Sequence, residues 1–400
     1  MRDTQHGFRR GGSCVSNVLI FLDKVTRWID VGHPADVIFL DFAKAFDKVP
    51  HKRLITKMKM YGIDGKVLEW VQNWLSNRKQ RVCVRGMTSG WRDVCSGVPQ
   101  GSVLGPVLFL IYVNDLDNKV LSDLLKFADD TKLFSDVNTT QKVHQLQMDI
   151  NMLWQWSSDW QMPLNINKCK VMHCGKNNPR NVYVMDGCDL QTVEQEKDLG
   201  ILINDNLKSS VHCSQICKRA NRMLGLIRRT IIIKDRRNMV LLYKSLVRPI
   251  LEYASPAWSP HYNKDKIAIE RVQRRFTRLI PGLENCEYMD RLSKFKLWTL
   301  EERRNRTDVI EVFKSWKGMS RLPFKEIFEL NQSLRTRGHS LKLLKHHCAK
   351  DLRKYFFSER VINVWNSLDQ ETVASTTVNE FKANLDRLRN TKMGVFQDRP

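Results

Sequence analysis

Residues 126–134 read Lys-Phe-Ala-Asp-Asp-Thr-Lys-Leu-Phe (KFADDTKLF). Two adjacent acids, Asp129 and Asp130, lie between apolar runs that look like buried strands, so the stretch reads as a β-hairpin with the acids at its turn. Like charges at contact distance raise one another's pKa. An acidic pair alone is most often a solvated turn. If the acids are drawn inward they need a cation, and where phosphates are handled the usual one is Mg²⁺ with oxygen ligands. A third carboxylate stands at a matching place: residues 37–40 (Val-Ile-Phe-Leu) form a β-rich apolar run that ends at Asp41. Two buried strands ending in acids, laid side by side, would bring Asp41, Asp129 and Asp130 together. That set can hold a two-metal centre, in which one ion activates an attacking oxygen and the other steadies a leaving phosphate.

The rest of the chain fits a polyanionic partner. Its 400 residues carry a formal charge of +23, with a pI near 9.7, and a strongly basic balance points to nucleic acid. The excess lies downstream of the acids, with residues 206–248 holding eleven Lys and Arg against Asp235 alone. At 42% hydrophobic and 27% charged the composition is that of a globular protein and excludes extensive disorder. Ten cysteines show no disulfide rhythm and no C-x-x-C. His212, Cys213 and Cys217, or Cys169 and Cys174, are the nearest approach to metal spacing. Reduced thiols in an intracellular protein are the simpler reading. The apolar run 103–113 is about half a bilayer span and contains Gly105 and Pro106, so no membrane helix is expected.

Periodicity orders the elements. Ser13 and Ser16 can cap a helix whose apolar face is Val18, Leu19, Leu22, Val25 and Trp28. Two helices are expected over 54–74, split at Gly62–Gly65, then a hairpin at 80–94 turning around 86–90 and an apolar helix over 102–116. An amphipathic helix at 139–160 has Val143, Leu146, Ile150, Leu153 and Trp160 as its core stripe. Short strands follow at 170–174, 182–185 and 199–203. Beyond Asn206 the texture turns helical and basic, over 209–230, 236–247, 264–280 and 300–317. The tryptophans 70, 74, 154, 156 and 160 are expected in the core, since helical periodicity outweighs a base-stacking role.

Around the acids stand further motifs. Residues 39–51 read FLDFAKAFDKVPH, 97–116 read GVPQGSVLGPVLFLIYVNDL, 164–172 read LNINKCKVM, 197–205 read KDLGILIND and 5–14 read QHGFRRGGSC. In order and spacing, over roughly residues 5–205, these resemble the finger, palm and primer-grip motifs of reverse transcriptases of non-LTR (LINE-type) retrotransposons, nearest the jockey-like kind. RPILEYASPAW at 248–258 resembles the thumb less specifically. The resemblance implies an α+β right-hand polymerase: partial fingers over 1–35, a palm with an antiparallel sheet and an embedded finger segment over 36–205, a helical basic thumb over 206–280, and a helical basic C-terminal region over 281–400.

It also implies roles. Asp41, Asp129 and Asp130, with the Phe42 backbone carbonyl, would hold two Mg²⁺ ions, for which Mn²⁺ could substitute. Phe46 would lie under the sugar and bar a 2′-hydroxyl. Gln100, Gly101, Lys168 and Arg9 would bind the nucleotide, with Lys168 near the pyrophosphate. Ala128, Leu199 and Gly200 would touch primer or template. Lys218, Arg219, Arg222, Arg228 and Arg229 would track phosphates. The partners implied are an RNA template, a DNA primer or target, their RNA–DNA hybrid and dNTPs, without a membrane. The location implied is intracellular, by family resemblance the nucleus. The reaction is RNA-directed DNA polymerisation.

Family members carry further finger motifs ahead of QHGFR, an N-terminal endonuclease and a C-terminal Cys/His knuckle. None is present here, so the chain is expected to be a 5′-truncated copy or partial gene product. Two alternatives stay open: a catalytically impaired nucleic-acid-binding remnant, and a group II intron maturase.

Overall fold

The structure, a computed structural model, describes residues 1–331, 338–391 and 394–397. The chain is α+β, with a five-stranded sheet in its first half and mostly helices thereafter. It divides into two units: Met1–Asn17 with Gly32–Glu194, and Val18–Val31 with Gln195–Pro400.

In the first unit the run after Pro34 becomes the strand Ala35–Leu40, whose β-branched and aromatic residues suit a pleat buried on both sides. It is the middle strand of the sheet. The hairpin Asp123–Phe127/Asp130–Asp136 lies on one side, and Lys170–Cys174 then Gln191–Thr192 on the other. All pairings are antiparallel except the outermost, Gln191–Thr192 on Lys170–Cys174. Register sets Leu124, Leu133, Ile38 and Val171 side by side across four strands. These residues share one core with Leu54 and Met58 of helix His51–Met60, Leu68 and Val71 of Gly65–Leu75, Phe109 of Leu104–Tyr112, and Leu146, Ile150 and Leu153 of Thr140–Asp159.

Polar pins fix this register. Asp36, fully buried, accepts from His173 Nδ1, Asn178 Nδ2 and Tyr183 OH, each at 2.7 Å. Asp149, also fully buried, accepts the N–H groups of Leu121 and Ser122 (3.2 and 2.7 Å) and so fixes the entry to strand Asp123–Phe127. Ser13 and Ser16 cap the helix Cys14–Asp30 reciprocally, each hydroxyl accepting the other's backbone N–H at 3.0 Å.

Several expectations shift in detail. The helix expected over 102–116 runs only from Leu104 to Tyr112, because the chain then bends to bring Asp115 and Asp117 to buried lysines. The hairpin at 80–94 turns at Arg85–Gly86, both at positive φ, with Cys83–Val84 pairing Met87–Thr88. In the run 182–185 only Val184–Met185 pairs. In the run 199–203, Leu199 and Gly200 are a turn and the strand is Ile201–Asn204. Val143 and Trp160 are partly buried, and Trp70 is 57% exposed, stacked on Trp74 rather than packed inside.

The second unit opens on the hairpin Gln195–Asp198/Ile201–Asn204. Helix Ser210–Thr230 follows; its face His212, Cys213, Ile216, Cys217, Ala220, Leu224 and Ile227 is buried. Helix Arg236–Leu242 continues through a π-helical turn, Tyr243–Val247, into Arg248–Glu252, and Asn263–Thr277 and Leu300–Trp316 come after. Thr299 and Glu302 close the last of these with a full capping box. Among the described residues no helix is long and apolar enough to cross a membrane.

Candidate active site

The central strand delivers its last residue, Leu40, opposite Thr131, and Asp41 follows at the strand's end. The hairpin's closing pair is Phe127 with Asp130, which leaves Ala128 and Asp129 as the two-residue turn. Asp129 therefore occupies the turn and Asp130 begins the next strand, exposed. Ala128 has φ +57°, a left-handed conformation that costs an L residue about 1–2 kcal/mol, so the turn needs support from its neighbours.

Asp41 is held by the segment that the sequence marks as LNINKCKVM. Its carbonyl accepts the Asn165 N–H at 2.8 Å, and Ala43 N–H donates to the Pro163 carbonyl at 2.8 Å. These two bonds make the bridge between Phe42 and Leu164 without using the carbonyl of buried Phe42. Lys168, 68% exposed in the 3₁₀ turn Ile166–Lys168, brings its ammonium to 3.3 Å from Asp41 Oδ2. That oxygen is buried and, among the described residues, accepts no hydrogen bond.

Burial pushes the Asp129 carboxyl above its ordinary range, and the Asp41 charge pushes it further, while its own backbone N–H pulls the other way. Two carboxylates thus stand within electrostatic reach, with one buried oxygen that lacks a hydrogen bond and is met by the Lys168 ammonium. This is a fit for a hard divalent cation, which would relieve both. Among the described residues no three His, Cys, Asp or Glu side chains form a ready-made metal cluster.

Phe46, half-buried, stacks on Phe109 (centroids 4.5 Å apart, 20° between planes) and meets Phe8 edge-on at 6.4 Å. Its backbone is clamped by the GVPQG turn. Gly97 N–H donates to the Val49 carbonyl and Val98 N–H to the Phe46 carbonyl, each at 2.8 Å. Gly97 has φ +86°, and a Cβ there would lie 2.8 Å from Asp47 Cα, Asp47 O and Phe46 O. Gln100 and Gly101 are exposed beyond the turn, and Gln100 Nε2 donates to Asp47 Oδ1 at 3.0 Å. Arg9 donates to the Arg2 carbonyl and lies 3.9 Å from Asp3 Oδ1.

Two buried cations of the same unit were not singled out from the sequence. Lys57, within the run 54–74 expected to be helical, donates to Asp115 Oδ1 and the Tyr112 carbonyl at 2.5 Å. It sits 4.7, 4.5 and 3.8 Å from the ring centroids of Tyr112, Trp156 and Trp160. Burial lowers its pKa to about 8 against the pull of Asp115. Three such ring faces contribute roughly 0.5–2 kcal/mol each towards keeping it charged. Lys126 donates to Asp117 Oδ1 at 2.8 Å from inside the hairpin strand. Neither is legible alone, because a lysine shows no buried partner until the fold supplies one.

In the second unit, Leu199 (φ +44°) and Gly200 (φ +86°) form the tip of the hairpin, where the Leu199 carbonyl accepts from Tyr253 OH at 3.0 Å. Lys218, Arg219, Arg222, Arg228 and Arg229 are all exposed on helix Ser210–Thr230, away from its buried face.

The reverse transcriptase (RNA-dependent DNA polymerase) family matches residues 1–225. A Drosophila melanogaster protein described as an RNA-directed DNA polymerase of transposon BS is 27% identical over 76% of this chain and 35% of its own length. The RNA-directed DNA polymerase from the D. melanogaster mobile element jockey is 27% identical over 60% of this chain and 28% of its own. The chain thus spans about a third of the length of these relatives. Among solved structures, telomerase from Candida tropicalis is similar at 10% identity and a TM-score of 0.42, over 96% of this chain and 53% of that one.

Proposed function

The chain belongs to the reverse transcriptase (RNA-dependent DNA polymerase) family, and we propose that it carries out that chemistry itself, copying an RNA template by adding dNTPs to a DNA primer. The observation that carries the reading is the pairing of Asp41 with Asp129. One sits at the end of the central strand and the other in the adjoining turn, close enough for one charge to perturb the other, with a buried Asp41 oxygen that accepts no hydrogen bond among the described residues.

Asp41, Asp129 and Asp130, with the Phe42 carbonyl, would hold Mg²⁺ (two ions, replaceable by Mn²⁺). Bound there, such ions make the primer 3′-hydroxyl more acidic and neutralise charge on the phosphates. In the reaction the 3′-oxygen forms a bond to the α-phosphorus, the bond to the β-phosphate oxygen breaks, and pyrophosphate departs. The protein contributes position and fixed charge. Phe46, backed by Phe109, blocks the space a 2′-hydroxyl would need. Gln100 and Gly101 line the nucleotide and template side, and the tip at Ala128 abuts the primer end. The Lys168 ammonium, already beside Asp41, is placed to meet charge on the departing pyrophosphate. Arg9 is a further candidate for the nucleotide. In the second unit the Leu199–Gly200 tip would contact the primer, and the exposed cations of helix Ser210–Thr230 would follow phosphates in a salt-dependent, sequence-tolerant way.

The test is primer extension on an RNA template with a DNA primer, dNTPs and Mg²⁺, beside Asp129→Asn. Extension should fall at least about 100-fold in the variant, the scale for losing one electrostatic element of a catalytic site. Extension that is undiminished in Asp129→Asn would refute the reading.

A further inference from the structure

The turn that presents Asp129 is gripped from outside the hairpin. Gln5 is 3% exposed. Its Oε1 accepts the N–H of Ala128 at 2.9 Å and that of Gly7 at 2.8 Å, while its Nε2 donates to the Ala128 carbonyl at 3.3 Å. One planar carboxamide thus satisfies both backbone groups of the residue preceding Asp129. That residue is an alanine at φ +57°, a conformation alanine does not hold unaided.

Gln5 is itself fixed. Residues 4–6 pair with strand Asp123–Phe127: Lys126 N–H donates to the Thr4 carbonyl at 2.8 Å and His6 N–H to the Lys126 carbonyl at 2.9 Å. His6 Nδ1 meets Ser16 Oγ at 2.9 Å, and Asn17 Nδ2 donates to the Lys126 carbonyl at 3.1 Å. Gly7 is pressed so close that a Cβ there would stand 2.4 Å from the Ala128 nitrogen.

We propose that Gln5 is a positioning residue for the catalytic turn, locking the left-handed Ala128 and so aiming the Asp129 carboxylate at Asp41. The proposal rests on the polymerase reading. Only glutamine meets the requirement: glutamate has the reach but no donor for the Ala128 carbonyl, and asparagine is one methylene short. A glutamine that was merely buried and satisfied would need no contact with the one residue whose backbone sets the direction of Asp129.

The experiment compares the full chain with Gln5→Ala and Gln5→Glu, by amide hydrogen exchange at Ala128 and by single-turnover extension of a primed RNA template. The expected result is faster exchange at Ala128 in Gln5→Ala, which removes the acceptor of that N–H. The rate constant of the chemical step should fall about 10- to 100-fold in Gln5→Ala, the scale of a misplacement of about 1 Å, with the active-site amplitude and the template–primer Kd retained. Gln5→Glu keeps the acceptor and loses only the donor to the Ala128 carbonyl, so its rate constant should fall less. A fall in the rate constant with amplitude and Kd retained is an effect a purely structural glutamine would not produce. Unchanged exchange at Ala128 in Gln5→Ala would overturn the proposal. So would a loss of amplitude at an unchanged rate constant, which marks a folding defect alone. If wild type itself does not extend a primer, the polymerase reading fails and the proposal falls with it. Wild-type extension with a Gln5→Ala rate constant equal to it overturns the Gln5 role alone.

Discussion

Gly97 and Gly101 lie four residues apart in the same motif, at nearly the same backbone angle (φ +86° and +81°). Their surroundings differ. A Cβ at Gly97 would stand 2.8 Å from three backbone atoms of Phe46 and Asp47, whereas one at Gly101 would meet nothing within 4 Å. Gly101→Ala should therefore cost only the left-handed conformation, about 1–2 kcal/mol. Gly97→Ala adds an overpacking cost of about 1–3 kcal/mol, because backbone atoms cannot rotate aside. The total for Gly97→Ala is then about 2–5 kcal/mol. The shift would also carry Phe46 and Asp47 with it, and with them the Gln100 contact at 3.0 Å. Urea unfolding of the two variants, followed by circular dichroism, reads the difference, and dNTP incorporation should be lost far more in Gly97→Ala. Equal destabilisation, within about 0.5 kcal/mol, a common limit of additivity, would mean that the close approach at Gly97 does not exist.

Phe46→Val opens the space beneath the sugar. Discrimination of dNTP over rNTP, read as the ratio of kcat/KM values, should fall by roughly 10- to 200-fold, the scale of small steric differences in a pocket; an unchanged ratio would remove Phe46 from sugar selection. Asp129 holds its proton to higher pH in the folded state than in the unfolded chain, so its contribution to stability is present at low pH and is lost as pH rises through the raised pKa. Mg²⁺ should accordingly raise Tm above that window and have little effect below it, and Asp41→Asn should flatten the dependence. Removing Lys218 and Arg222 together should weaken template–primer binding about equally for all sequences, and lower the slope of log affinity against log salt by about 2, roughly one per phosphate contact. A slope equal to wild type would make that face merely solvated.

Much of the layout of the candidate site was readable because its carboxylates and its secondary structure share the same few residues. Val37, Ile38 and Leu40 announce a buried strand, and Asp41 follows it. The apolar flanks of Asp129 and Asp130 announce a hairpin, although only Asp129 falls in its turn and Asp130 opens the next strand. Long-range contacts were not readable. Gln5, Lys57 and Lys126 look like ordinary polar residues in the sequence, and their meaning comes from partners at Ala128, Asp115 and Asp117. Trp70 shows the limit of periodicity: its spacing from Trp74 fits one helical face, yet the pair stacks with Trp70 largely exposed. The 102–116 run was over-read because apolar character persists past Tyr112, whereas Asp115 and Asp117 are drawn inward by lysines distant in sequence or on another strand.

The central claim is that Asp41 and Asp129 share one divalent-cation site. Calorimetric titration of Mn²⁺ into wild type, Asp41→Asn and Asp129→Asn tests it without requiring turnover. A shared site predicts binding in wild type that either substitution weakens to a similar degree. Mn²⁺ affinity that is unchanged in Asp41→Asn, or lost in only one of the two variants, would contradict it.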